Sequence, residues 1–242
     1  MELKIQNKQN FGWFYRTHKG IVLKALDVSD LDSLHGHQAR LSEFSKMPDV
    51  DERGNFNWHL YNPSSNRSFL DPEGLDNARA RYREHVGKVF YAIDEGNTDV
   101  WVEHAGRASH FLQDMTQRQH TGNAEVKPVM SLWREILTLR EHRAFEGYAR
   151  KHQWRYFDSY KPREVKDTSF GDLFLRNARE SFNLTLPTMK NQGQWDAIAE
   201  EGIHRAIDAT RALFMRVNDL LTSKRDNEKL EVPPAFQFME VA

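Results

Sequence analysis

The sequence has no cysteine among its 242 residues. Disulfides and thiolate metal ligands are therefore excluded, and any metal held here must take nitrogen and oxygen donors from His, Asp and Glu. There is no excess of either charge: 34 Lys and Arg stand against 35 Asp and Glu, a formal net charge of −1. No basic stripe of the kind nucleic-acid binders carry stands out. No apolar run approaches the roughly 18 residues that a membrane span needs. The opening MELKIQNKQN lacks the apolar centre of a secretory signal, so ordinary signal-dependent export is not expected of the chain as it stands. Alternating strand patterns, internal repeats and a linker that would split the chain are also missing.

What the sequence has instead is helical periodicity and histidine. Apolar positions at helical spacing predict helices from Trp13 to Leu26, about Leu75 to Ile93, about Asp99 to Gln117, about Met130 to Trp154, Ser169 to Phe182 and about Gln194 to Ser223. Asp71-Pro72-Glu73 reads as a helix start and Thr98 as a cap for the next. Residues 27–48 read as polar turns, and Pro48-Asp49-Val50-Asp51 as a break in regular structure. The segment DERGNFNWHLYNPSSNRS, 51–68, reads as a long loop whose aromatics and histidine mark it as ordered. The expected architecture is all-α, a single-domain bundle of about six to nine helices. Residues 1–12 form a polar N-terminal segment, 13–224 the domain and 225–242 a tail.

The 11 histidines ask for an account. His110 and Asp114 are four apart, on one face of their helix, where two donors can grip one ion from a rigid surface. His120 follows past the expected helix end. His142 and Glu146 repeat the four-residue spacing on the next helix. His18 lies in the first helix, and Asp49 and His59 in the loop region. At about four ligands per zinc, these eight side chains suit about two or three ions. His35 and His37 read as solvated, His85 as surface, His104 as pointing away from His110, and His152 and His204 as without a partner at ligand spacing.

The ordered set resembles the bacterial zinc-dependent phospholipase C family, which is related to the zinc nucleases that cut single strands. The resemblance rests on His110–x3–Asp114–x5–His120, on His142–x3–Glu146, on His18 in an early helix, and on the loop that opens at Pro48-Asp49-Val50-Asp51 and closes at Phe56-Asn57-Trp58-His59-Leu60-Tyr61-Asn62-Pro63. It covers roughly residues 13–150, and its last piece is closer to the phospholipase branch. It implies an all-helical fold with a multi-zinc cleft. It also implies one ion on Asp49, His59, His110 and Asp114, a second on His120, His142 and Glu146, and a third that shares Asp114 and takes His18.

In the family an N-terminal Trp completes the third site with its amine and carbonyl. Here residue 1 is Met, and Trp13 stands five before His18, so removal of residues 1–12 would present its amine. Two further departures are Arg118 where the family has Pro, and a shorter loop that makes Asp51 a rival to Asp49.

The function implied is hydrolysis of a phosphodiester by a metal-activated water. The substrate would be a phosphatidylcholine-like glycerophospholipid, cut to diacylglycerol and a phosphorylated headgroup, and Asp49 would orient the water or take its proton. Phe56 matches a family position that lines the headgroup pocket, with Trp58 a weaker candidate. Peripheral membrane contact and action outside the producing cell go with this reading. The alternatives are a nuclease or other phosphodiesterase on the same metals, and a toxin component or interaction module that has lost turnover.

Overall fold

A computed structural model describes residues 15–51, 56–68, 73–122, 131–165 and 169–226. All the long elements are helices: α1 (Tyr15–Asp27), α2 (Gln38–Phe44), α3 (Pro48–Asp51), α4 (Ala78–Asp94), α5 (Thr98–Asp114), α6 (Arg118–Thr121), α7 (Ser131–Ser159), α8 (Phe170–Phe182) and α9 (Trp195–Arg225). The only extended pairing among the described residues is a single antiparallel bridge, Asn62 to Arg67. The chain is a single all-α domain, as expected. No described helix is long and apolar enough to cross a membrane.

The centre of the bundle is α5. It packs along α4 as an antiparallel hairpin and also touches α1, α2 and α9. Its residues from Ala108 to Asp114 are all buried, so side chains on every side of its last two turns meet neighbouring helices. Asn97 caps this helix, its side chain accepting from the Val100 N–H at 3.2 Å. Thr98, the expected cap, is instead the first helical residue. Asn77 likewise caps α4, accepting from the Arg79 and Ala80 N–H groups at 3.0 and 3.3 Å, so that helix starts later than predicted. The Asp71-Pro72 signal lies outside the described residues. Gly96, at φ +71, takes the left-handed turn between α4 and α5.

Gly106 permits a close approach of α2 to α5. A Cβ there would lie 2.6 Å from Phe44 Cβ and 2.8 Å from the Leu41 carbonyl oxygen. The α2–α5 crossing therefore needs glycine at this position.

Two apolar clusters flank the centre. The larger includes Leu34, Leu41, Tyr82, Val86, Phe111 and Phe214, and the smaller gathers Phe145, Tyr156, Phe157 and Trp195 with α9 residues Ile203 and Ile207. α1 stands between them, with Val22 and Leu26 in one and Ile21 and Ala25 in the other. Each such side chain contributes roughly 1.5–3 kcal/mol on burial.

Two expectations about regular structure are corrected. The turn-rich stretch before Pro48 holds a 3-10 helix at Asp32–His37 and then α2, with Leu34 and Leu41 as its apolar anchors. Pro48–Asp51, expected as a break, is a turn of helix. Proline suits the first helical position because its missing N–H is unused there, and Asp49 and Asp51 favour the N-terminal dipole. The loop after it is described over residues 56–68. It has a 3-10 turn at Phe56–His59 and an Asn62 side chain that accepts from Ser64 N–H at 2.8 Å.

Candidate metal centre

His110 and Asp114 sit one turn apart at the buried end of α5, with His110 Nε2 3.3 Å from Asp114 Oδ2. From this pair the site can be built outward. α1 brings His18, whose Nε2 lies 3.7 Å from Asp114 Oδ1 and 3.8 Å from Asp49 Oδ2. The short α3 brings Asp49, with Oδ1 3.8 Å from His110 Nε2. The 3-10 turn brings His59, whose Nδ1 is 2.9 Å from Asp114 Oδ2 and 3.0 Å from His110 Nε2. On the far side α6 presents His120 to α7, where His142 Nε2 is 2.8 Å and His120 Nε2 3.8 Å from Glu146 Oε1. All eight residues are at most 3% exposed.

Donor atoms fall into three groups within 4.8 Å of one another: His18, His110 and Asp114; Asp49, His59 and His110; and His120, His142 and Glu146. The third matches the set implied for the second ion. The other two share His110 as well as meeting at Asp114.

Three imidazoles are oriented by their other nitrogen. His110 Nδ1–H donates to the Ser45 carbonyl at 2.9 Å, and His120 Nδ1–H to the His59 carbonyl at 2.7 Å. His18 Nδ1–H donates to Gln113 Oε1 at 2.6 Å. Each bond fixes the tautomer and turns the Nε2 lone pair into the cluster, the arrangement that metal-binding histidines use. The loop is held to the same point, because Tyr61 N–H donates to the His120 carbonyl at 3.0 Å.

Several buried atoms here have no hydrogen-bond partner: His18 Nε2, Asp114 Oδ1, His120 Nε2 and Glu146 Oε2. A buried polar atom left unsatisfied costs about 1–3 kcal/mol, so four in one cluster call for a cation. Ligands on one tetrahedral zinc lie about 3.3–3.5 Å apart, since each bond is about 2.0–2.1 Å. The His18–Asp114, His18–Asp49 and His120–Glu146 separations are within about half an ångström of that. The residues present fit a metal centre with N and O ligands.

Burial sets the electrostatics. It pushes the Asp49 carboxyl well above its usual range, helped by the negative charges of Asp114 and Glu146. Burial also works to raise Asp114, but the neighbouring His120 and His110 and hydrogen bonds from His110 and His59 outweigh it and hold Asp114 well below the usual range. Burial lifts Glu146 to about 7 and depresses His142 to about 4. His18 is depressed by burial and by His110.

The other candidates fall elsewhere. Asp51 is exposed and bound by the Arg107 guanidinium on the surface, away from the cluster. One face of Trp58 is covered by Arg81, whose guanidinium lies 3.8 Å from the ring centre. Arg118 stacks over Phe182 of α8 at 4.4 Å. The side chain of Phe56, together with Trp13, residues 1–12 and 227–242, lies outside the described residues.

His85 is not a surface residue. It is 4% exposed and stacks between His104 and Phe111, with the two Nδ1 atoms 2.9 Å apart. The signal was present in the sequence, because His85 shares a stripe at helical spacing with Tyr82 and Val89. Gln113 went unread for the opposite reason, since a lone Gln beside an Asp carries no pattern.

No protein-family model and no curated protein matches this sequence. Solved structures do match. The alpha toxin of Clostridium absonum superposes with a TM-score of 0.67 over 88% of this chain, at 21% identity. The alpha-toxin of an avian strain of Clostridium perfringens gives 0.62 over 88%, at 16% identity. The chain therefore has the fold of these clostridial alpha-toxins, and identity this low carries the likeness no further than the fold. It spans 65% and 64% of the two toxin chains.

Proposed function

We propose that this chain is a zinc-dependent phosphodiester hydrolase of the phospholipase C type, cleaving a phosphatidylcholine-like glycerophospholipid to diacylglycerol and a phosphorylated headgroup. The observation that carries the reading is the convergence of eight buried nitrogen and oxygen donors from α1, α3, the 56–59 turn, α5, α6 and α7. The motif resemblance to the zinc-dependent phospholipases and the fold shared with two clostridial toxins both support it.

In this reading Asp49, His59, His110 and Asp114 hold one ion, and His120, His142 and Glu146 a second. His18 and the shared Asp114 hold a third, completed by the amine of Trp13 once residues 1–12 are removed. Zinc in these positions supplies a Lewis acid that lowers the pKa of water and offsets the charge of a phosphoryl group. The chain's own groups do the remaining work. Asp49 is the catalytic carboxylate: its oxygens face His18 and His110 inside the cluster, where an Oδ atom would orient the attacking water or take its proton. His110 and His120 keep their orientation through backbone carbonyls, so the site is set before substrate arrives. Phe56 is assigned to the headgroup wall, where an aromatic ring attracts a quaternary ammonium by about 0.5–2 kcal/mol. A lipid substrate implies peripheral contact with a membrane surface, and the family resemblance suggests a secreted or exported protein.

The test uses protein purified without chelators. Elemental analysis is expected to find about two to three zinc ions per chain, at about four ligands each. Side-by-side assays on phosphatidylcholine and single-stranded DNA then separate the readings. Absence of metal sinks the proposal, DNA cleavage alone replaces it with a nuclease, and metal without either activity leaves an interaction module or toxin component. Sequencing the N-terminus of the active form decides the role of Trp13.

A further inference from the structure

One polar side chain at the cluster belongs to none of the three donor groups, yet it is wholly buried. Gln113 is 0% exposed. Its Oε1 accepts from His18 Nδ1–H at 2.6 Å, and its Nε2 donates to Thr210 Oγ1 on α9 at 3.1 Å. From this geometry we infer that Gln113 is a positioning residue: it fixes the tautomer and direction of His18, while Thr210 on α9 anchors the other end of its amide. The inference rests on the metal-centre reading for its consequence, but not for its geometry.

The physical reason lies in the two-sidedness of both groups. A neutral imidazole carries one N–H, on either nitrogen. With the Gln113 oxygen against Nδ1, the proton sits on Nδ1 and the Nε2 lone pair is bare, facing Asp114 Oδ1 at 3.7 Å and Asp49 Oδ2 at 3.8 Å. With the amide reversed, its N–H would demand a lone pair at Nδ1. The proton would move to Nε2 and block that ligand position. The amide nitrogen is turned to α9, where it meets Thr210 Oγ1.

His18 differs here from His110 and His120. Those rings are fixed by carbonyls of Ser45 and His59, which no substitution removes. His18 alone of the three is fixed by a side chain. Its ring centre also lies 4.0 Å from that of His110, at an interplanar angle of 30°, so a tilt at His18 is felt by its neighbour.

The experiment compares wild type with Gln113→Met, which keeps the bulk without the acceptor, and Gln113→Glu, which keeps the acceptor. Histidine-selective 15N NMR of the metal-free protein reads the tautomer, and competitive zinc titration reads each affinity. Wild type is expected to show His18 protonated on Nδ1. Gln113→Met is expected to lose that signature and to bind one zinc per chain about 10–100-fold more weakly, the usual effect of losing a group that orients a metal-bound histidine. The remaining ions should be held as before. Gln113→Glu should restore both readouts, and Thr210→Val should weaken them in the same direction as Met.

The inference is overturned if Gln113→Met keeps the Nδ1–H signature and every zinc affinity, or if Gln113→Glu behaves like Met. A wild-type protein that binds no zinc would overturn the proposed function instead, while the tautomer in the metal-free protein still decides the role of Gln113.

Discussion

Asp114 is the residue on which the cluster turns. Nitrogens of His18, His59, His110 and His120 lie 3.7, 2.9, 3.3 and 3.9 Å from its oxygens. Asp114→Asn keeps the shape but replaces one anionic oxygen with an amide that cannot serve four histidines. It is expected to lose at least one bound ion and all measurable phosphodiesterase activity, while far-UV circular dichroism keeps its helical signal. Full activity in this variant would remove the shared carboxylate from the account.

Glu146 makes a different prediction. Burial raises it to about 7 in the metal-free chain, so below that pH a metal ion must displace a proton from it. His142, depressed to about 4, is already neutral there and does not compete. Apparent zinc affinity should therefore rise with pH up to about 7 and then level off for this group. Calorimetry at pH 6 in buffers of differing ionisation heat should show proton release that is reduced in Glu146→Gln. Equal release from both proteins would refute the assignment.

At the scale of elements, the site depends on a helix contact made outside the donor set. The α2–α5 approach at Gly106 sets where the Ser45 carbonyl, just past the end of α2, meets His110. A methyl group at Gly106 meets backbone and Cβ atoms that cannot swing aside. Gly106→Ala is expected to destabilise the fold by about 1–3 kcal/mol through overpacking. At this chain length that is a fall in Tm of roughly 2–4 °C per kcal/mol. Zinc affinity should fall with it, since His110 loses its carbonyl partner; a Tm equal to wild type would show that α2 moves freely.

The helices themselves were legible, because their signal is local: apolar spacing and the α8 and α9 boundaries agree with the sequence to within a few residues. Their starts were less so. Asn97 took the capping position expected for Thr98, and Asn77 caps α4, each by bonding the first free N–H groups. Pro48–Asp51 became helix because Val50 and Asp51 N–H groups both reach the Met47 carbonyl, at 2.7 and 2.9 Å.

For the whole molecule, the unsatisfied donors predict that metal and fold are linked. Ions that bind the folded chain and not the unfolded one stabilise it by about 4 kcal/mol per site at a thousandfold excess over Kd. Chelation should therefore lower Tm by roughly ten degrees for each ion removed, at about 2–4 °C per kcal/mol, and added zinc should restore it. A Tm indifferent to chelator and zinc would show that the cluster tolerates its own repulsions. The fold spans about two thirds of the toxin chains it superposes on, and it brings the donor cluster together within that span.

The sequence by itself determined which side chains could serve as metal donors and which elements carry them. An i, i+4 pair such as His110 and Asp114 or His142 and Glu146 shares a face wherever the helix is placed, and the absence of cysteine leaves only nitrogen and oxygen donors. Tertiary structure alone decided the rest. It put Asp49 inside and Asp51 on the surface against Arg107, two residues apart on one turn of helix. It buried His85 against His104, and it enlisted Gln113 to aim His18. Each imidazole has two nitrogens and each carboxylate two oxygens, and which of them faces the centre depends on partners 51 to 95 residues away along the chain. No local pattern encodes that choice.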